Sequence, residues 1–133
     1  MASALRRLVP CRSMRVNNWF RFPAGAGAPS PASPPTDPRN LDRAVAALEQ
    51  LGFKVKLGRN VRKRGGFLAG SDRERAGDLM RMFTDRRVKA ILCVRGGYGT
   101  ARLLPLLDYR VIREHAKVFV GYSDITSLHC ALL

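Results

Sequence analysis

The chain has 133 residues, 46% of them hydrophobic, and a formal net charge of +14. That length suits one ordinary domain and that composition a packed core, so wholesale disorder is excluded. No apolar run approaches the roughly 20 residues of a membrane-spanning helix, and no apolar stretch follows Arg6-Arg7 as a secretory signal requires.

Residues 1–28 read as a basic leader and linker, expected to be disordered. Arg6, Arg7, Arg12, Arg15 and Arg21 precede any acid, and the run from Ala24 to Pro31 is built of Pro, Gly, Ala and Ser. Regular structure is predicted from Asp37-Pro38, where aspartate can cap a helix and proline suits its first turn. Leu41, Ala44, Val45, Leu48 and Leu51 follow at helical spacing, and Gly52 ends the helix. Residues 53–57 alternate apolar and basic, as a half-exposed strand does. Ser71 and Glu74 form a capping-box pattern, and the helix behind them carries Ala76, Leu79, Met80 and Phe83 on one face. Residues 88–94 suit a buried parallel strand. A short helix is expected over 101–104, broken before Pro105, then another capped by Asp108. Residues 117–122 form the last strand, and a helix-like run from Ile125 closes the chain. The alternation predicts an α/β fold, Rossmann-like or flavodoxin-like, with a parallel sheet and flanking helices.

A second basic stretch, Lys54, Lys56, Arg59, Arg62, Lys63 and Arg64, is also free of acids. Neither stretch spells a helix-turn-helix, zinc-finger or RNP pattern or interleaves aromatics with its cations, so no specific nucleic-acid partner is expected. Cys11, Cys93 and Cys130 are an odd set with no CxxC pair, which points to a reduced, cytoplasmic setting.

Two loops leave strands at the carboxyl edge, where ligands bind in parallel sheets. Arg95-Gly96-Gly97-Tyr98-Gly99 lacks the Walker lysine and does not spell GxGxxG. By itself it fits a phosphate cradle, half an oxyanion hole or a tight turn. The second loop, Gly121-Tyr122-Ser123-Asp124, lies between a strand and a helix. That is the setting of a nucleophile elbow, and equally of a serine that caps a helix. His129 lies six residues on, about 240° round a helix, and so points away from Ser123. His115 and Glu114 precede the last strand, at the wrong edge of the sheet. The chain offers no complete triad.

The run from Ile91 to Gly99, then Arg102-Leu103-Leu104 and Leu107-Asp108-Tyr109, then Gly121 to His129 resemble the amino-terminal domain of the LD-carboxypeptidases. Pro31-Ala32-Ser33-Pro34, Leu68 to Asp72, and Arg75-Ala76 with Asp78-Leu79 agree, so the resemblance covers residues 29–133. It implies a cytoplasmic serine peptidase that cleaves an L-to-D amide, releasing terminal D-alanine from a cell-wall tetrapeptide. A related branch detoxifies a peptide-nucleotide antibiotic. The resemblance assigns Ser123 as nucleophile and the backbone N–H groups of Asp124 and Gly97 as the oxyanion hole, with no metal or cofactor. The glutamate and histidine of the family triad come from a carboxy-terminal domain that this chain lacks. It is therefore expected to be a truncated domain with little activity alone, its partners being the murein peptide and that missing domain. A homodimer is an option for the full-length form. The alternative is a non-catalytic module that holds an anion or nucleotide in the glycine loop.

Overall fold

The computed structural model describes residues 25–133. The basic arginines of the leader and the disorder expected for it lie, up to residue 24, outside the described residues. Among the described residues four strands form one sheet: β1 (Gly25–Ala28), β2 (Lys54–Leu57), β3 (Val88–Leu92) and β4 (Val118–Val120), paired in the order β2-β1-β3-β4. Every pairing is parallel, with Ala26 beside Val55 on one side and Ala90 on the other, and Ile91 beside Phe119. Four α-helices among the described residues accompany it: α1 (Pro38–Gln50), α2 (Asp72–Thr84), α3 (Tyr109–Glu114) and α4 (Thr126–Leu132). This is the α/β architecture expected from the alternating pattern.

The first strand departs from the sequence reading. Gly25–Ala28 was expected to be linker, yet it is an inner strand with a neighbour on each side. The reason is packing. An ideal Cβ at Gly25 would lie 2.6 Å from the Arg87 carbonyl oxygen, and one at Gly27 would lie 2.7 Å from Met82 Sδ. Small residues here let the flanking backbone and α2 close onto the sheet, and that requirement overrides their poor strand propensity.

The helix starts follow their caps. The Asp37 carboxylate accepts from the Arg39 N–H with Pro38 in the first turn, and Ser71 and Glu74 form a complete capping box. Asp108 caps α3 through the Val111 N–H. The turn Ala101–Leu106 is a 3-10 helix that runs through Pro105 rather than stopping before it. Of the α1 stripe only Leu41 is buried, and Leu51 is 75% exposed.

Helix α2 holds the core together. Ala76, Leu79, Met82 and Phe83 are buried against Val88 and Ile91 of β3, with Leu103, Ile112, Ile125 and Leu128 closing the cluster. Met80 packs at its margin, while Met82 takes the deeper place. Each such fully buried side chain contributes roughly 1.5–3 kcal/mol. Phe83 stacks on Phe119, ring centres 5.9 Å apart, tying α2 to β4.

Candidate active site

A parallel sheet ordered β2-β1-β3-β4 reverses direction of winding between β1 and β3, and the crevice beyond the carboxyl ends there is where such folds bind ligands. Three loops meet at that edge: 29–35 after β1, 93–100 after β3 and 121–125 after β4. They are cross-linked by backbone bonds. The Val94 N–H donates to the Pro29 carbonyl (3.0 Å), the Ser33 N–H to the Gly96 carbonyl (3.4 Å), and the Cys93 N–H to the Val120 carbonyl (2.8 Å). Arg95 Nη1 adds a bond of 3.0 Å to the Pro34 carbonyl.

Ser123 sits on the third loop at φ +59, the one non-glycine residue among the described residues with a positive φ. A left-handed backbone at a side-chain-bearing residue costs of order 1–3 kcal/mol and persists where the surroundings impose it. Here β4 ends, the chain turns through Tyr122, and a short 3-10 turn, Ser123–Ile125, leads straight into α4. That is the strand–turn–helix of a nucleophile elbow. The side chain is exposed, and among the described residues its Oγ accepts from no helix N–H. The helix-cap reading of Ser123 is therefore not what the fold uses.

The glycine loop lies directly against this elbow. An ideal Cβ at Gly96 would be 2.8 Å from Ser123 Cβ, 2.8 Å from the Tyr122 carbonyl oxygen and 3.3 Å from Ser123 Oγ. Only a residue without a side chain lets the two backbones approach so closely. Gly97 adopts φ +126 and rests on Ser33, whose Oγ occupies the place a Cβ there would need, 2.3 Å away. The Gly97 N–H donates to no acceptor among the described residues. Gly96 is thus the glycine that abuts Ser123, and Gly97 is the exposed one beside it.

The histidines are engaged elsewhere. His129 packs edge-on against Phe119 at 5.4 Å and lines a cleft of about 830 Å³ with Tyr109, Ile112, Phe119 and Leu132. No residue of the Ser123 loop lines that cleft. His115 Nδ1 lies 3.0 Å from the Val111 carbonyl. Among the described residues no imidazole or carboxylate is hydrogen-bonded to Ser123 Oγ, and no three His, Cys, Asp or Glu side chains gather as a metal site would require. Cys93, at the end of β3, has its thiol pushed up to about 12 by burial, which makes it a poor nucleophile.

Three polar residues that the sequence reading had given no part in the site join its loops. Arg75, 1% exposed, donates from one nitrogen to the carbonyls of Pro31 (2.5 Å) and Gly99 (3.0 Å) and pairs with Asp72 through the other. Thr100, wholly buried, gives its N–H to Asp124 Oδ2 at 2.9 Å and its hydroxyl to the Asp124 carbonyl at 2.5 Å. Ser127 Oγ lies 2.5 Å from the Thr100 hydroxyl and donates to the same carbonyl at 2.8 Å. One signal was present in the sequence. Arg75 falls on the apolar stripe of α2, four residues before Leu79, where an arginine needs buried partners.

Comparison with known proteins bears on the family and the fold. The family pattern described as LD-carboxypeptidase N-terminal domain matches residues 27–133. The "Probable murein peptide carboxypeptidase" of Bacillus subtilis is 53% identical over 106 residues, covering 80% of this chain and 33% of that protein. The structure of a muramoyltetrapeptide carboxypeptidase from Oxalobacter formigenes superposes with a TM-score of 0.75 at 36% identity, over 82% of this chain and 36% of the other. The microcin C7 self-immunity protein MccF, in complex with aspartyl sulfamoyl adenosine, gives a TM-score of 0.76 at 31% identity, over 79% of this chain and 32% of its own. The chain spans about a third of the length of the relatives it matches.

Proposed function

The chain belongs to the LD-carboxypeptidase family, whose N-terminal domain it spans, and from that we propose that Ser123 is the nucleophile of a serine carboxypeptidase acting on murein peptides. The observation that carries the reading is the left-handed Ser123 at the end of β4, exposed, and pressed against Gly96. The greater identity to the murein peptide carboxypeptidase of Bacillus subtilis than to MccF favours a cell-wall tetrapeptide over a peptide-nucleotide as substrate.

In this reading Ser123 Oγ attacks the carbonyl carbon of the amide that joins an L-centre to the terminal D-alanine. A general base takes the hydroxyl proton as the C–O bond forms. The oxygen that becomes negative is held by the N–H groups of Gly97 and Asp124, each such donor being worth roughly 10²–10³ in rate. The C–N bond then breaks, the protonated amine leaves as D-alanine, and water hydrolyses the acyl-serine to regenerate the hydroxyl. An unassisted serine hydroxyl is a weak nucleophile. The glutamate–histidine pair that activates it belongs, by the family resemblance, to a carboxy-terminal domain. The reaction is placed in the cytoplasm as part of the same proposal.

The test is D-alanine release from a murein tetrapeptide by residues 1–133 fused to the carboxy-terminal domain of the Bacillus subtilis relative. Release is expected from the fusion, not from residues 1–133 alone, and Ser123→Ala should abolish it. Release that survives Ser123→Ala, or a folded fusion that releases none, would defeat the reading.

A further inference from the structure

We infer that one peptide group, the link between Gly99 and Thr100, is clamped between two opposite charges, and that Arg75 and Asp124 thereby act as positioning residues for the glycine loop. The inference rests on the reading of Ser123 above and extends it to residues that do not touch the reacting atoms.

The geometry is specific to that peptide. Its carbonyl oxygen, on Gly99, accepts from the Arg75 guanidinium at 3.0 Å, and its N–H, on Thr100, donates to the Asp124 carboxylate at 2.9 Å. The peptide dipole thus points its negative end at a cation and its positive end at an anion. Hydrogen bonds to ionised partners are about twice as strong as neutral ones. Arg75 is itself fixed by Asp72, which Arg102 also grips through its Nε (3.0 Å) and Nη2 (2.8 Å). Such a chain leaves little freedom to rotate the Gly99–Thr100 plane, although Gly99, at φ +99, would otherwise be among the most pliable points of the loop.

Each arm of the clamp reaches a different loop. Through its bond to the Pro31 carbonyl (2.5 Å), Arg75 ties the loop after β3 to the loop after β1. Asp124 is the residue after Ser123, so its carboxylate ties the same loop to the elbow. The Thr100 hydroxyl on the Asp124 carbonyl, with Ser127 beside it, doubles that second tie. Asp124 therefore has two separate tasks: its backbone N–H faces the developing oxyanion, and its side chain holds the loop that carries the other donor. Preset donors stabilise a transition state without reorganising as it forms, and a displacement of about 1 Å in such a site can cost about 10²-fold.

Two measurements test this, on Asp124→Ala and Asp124→Asn, since Thr100→Val would keep the backbone N–H that the clamp uses. The first is exchange of the Thr100 amide, the one amide of residues 96–100 with an acceptor among the described residues, in the 133-residue chain with β3 as internal reference. Asp124→Ala is expected to speed it about tenfold while β3 is unchanged, the loss of one well-placed hydrogen bond. Asp124→Asn keeps an acceptor but no charge and is expected to restore part of the protection. Unchanged exchange, or an equal rise throughout the domain, would overturn the clamp. The second is D-alanine release by the fusion. Asp124→Ala is expected to lower kcat about 10- to 100-fold with KM within about threefold, and Asp124→Asn to recover part of it. Faster loop exchange with kcat unaltered would overturn the positioning role. A wild-type fusion that is folded but inactive removes the Ser123 reading and the positioning role with it, while exchange still decides whether the clamp orders the loop.

Discussion

Replacing Gly96 by alanine is the sharpest probe of how the two loops meet. The new methyl would lie 2.8 Å from Ser123 Cβ and 2.8 Å from the Tyr122 carbonyl oxygen, where ordinary contact begins at 3.4 Å. Neither neighbour is the loose end of a flexible chain. Tyr122 O is backbone and accepts the Ile125 N–H at 3.2 Å, and Ser123 is already held in a left-handed conformation. The clash is relieved only if the elbow and the glycine loop separate by roughly half an ångström, with an overpacking cost of about 1–3 kcal/mol. For a domain of about 100 residues that cost lowers Tm by about 5–15 °C. If the separation falls on the reacting geometry, the same energy corresponds to about 5- to 150-fold in kcat. The assay is thermal unfolding of the 133-residue chain together with D-alanine release by the fusion. Gly77→Ala supplies the contrast. Gly77 lies inside α2, and its added methyl meets only the end of the Arg81 side chain at 3.4 Å, so alanine should stabilise the helix by about 0.5–1 kcal/mol. If Gly96→Ala leaves Tm and kcat as they were, or if both alanines shift Tm alike, the close approach inferred between the loops is wrong.

Leu79→Ala, at the fully buried centre of α2, should cost about 2–5 kcal/mol in denaturant unfolding, and a loss below about 1 kcal/mol would contradict its burial. Thiol alkylation at pH 8 should modify exposed Cys130 faster than half-buried Cys93, whose pKa burial raises; equal rates, read peptide by peptide, would contradict the burial. The Glu74 carboxyl is held down at about 2 from its usual 4.5, first by Lys63 and then by the Ser71 N–H and hydroxyl. A depressed carboxylate contributes stability above its unfolded pKa and loses it as pH falls through its folded one, so Glu74 should add a stability loss between about pH 4.5 and 2. Glu74→Gln should flatten the pH dependence of Tm in that window, and an unchanged slope would show that the Lys63 contact does not form in solution.

What the sequence by itself determined about this protein is whatever a short stretch encodes locally. Caps at Asp37, Ser71 and Asp108, and the apolar patterns of α2 and β3, set those elements because hydrogen bonds and burial there depend on residues within about four positions of one another. The Gly-Tyr-Ser-Asp step after an apolar strand likewise pointed to an elbow. Left-handed backbone at Ser123, and the lack of a hydrogen bond to its Oγ among the described residues, came only with coordinates, since both are imposed by neighbours distant in sequence. Gly25–Ala28 is the clearest case of tertiary control. Nothing in Gly-Ala-Gly-Ala favours a strand locally; pairing on both edges and the close approach of Arg87 and Met82 make it one. The clamp on the Gly99–Thr100 peptide is of the same kind. Its charges stand 24 residues away on either side, at Arg75 and Asp124, and only the parallel order of the strands delivers both to one carboxyl edge.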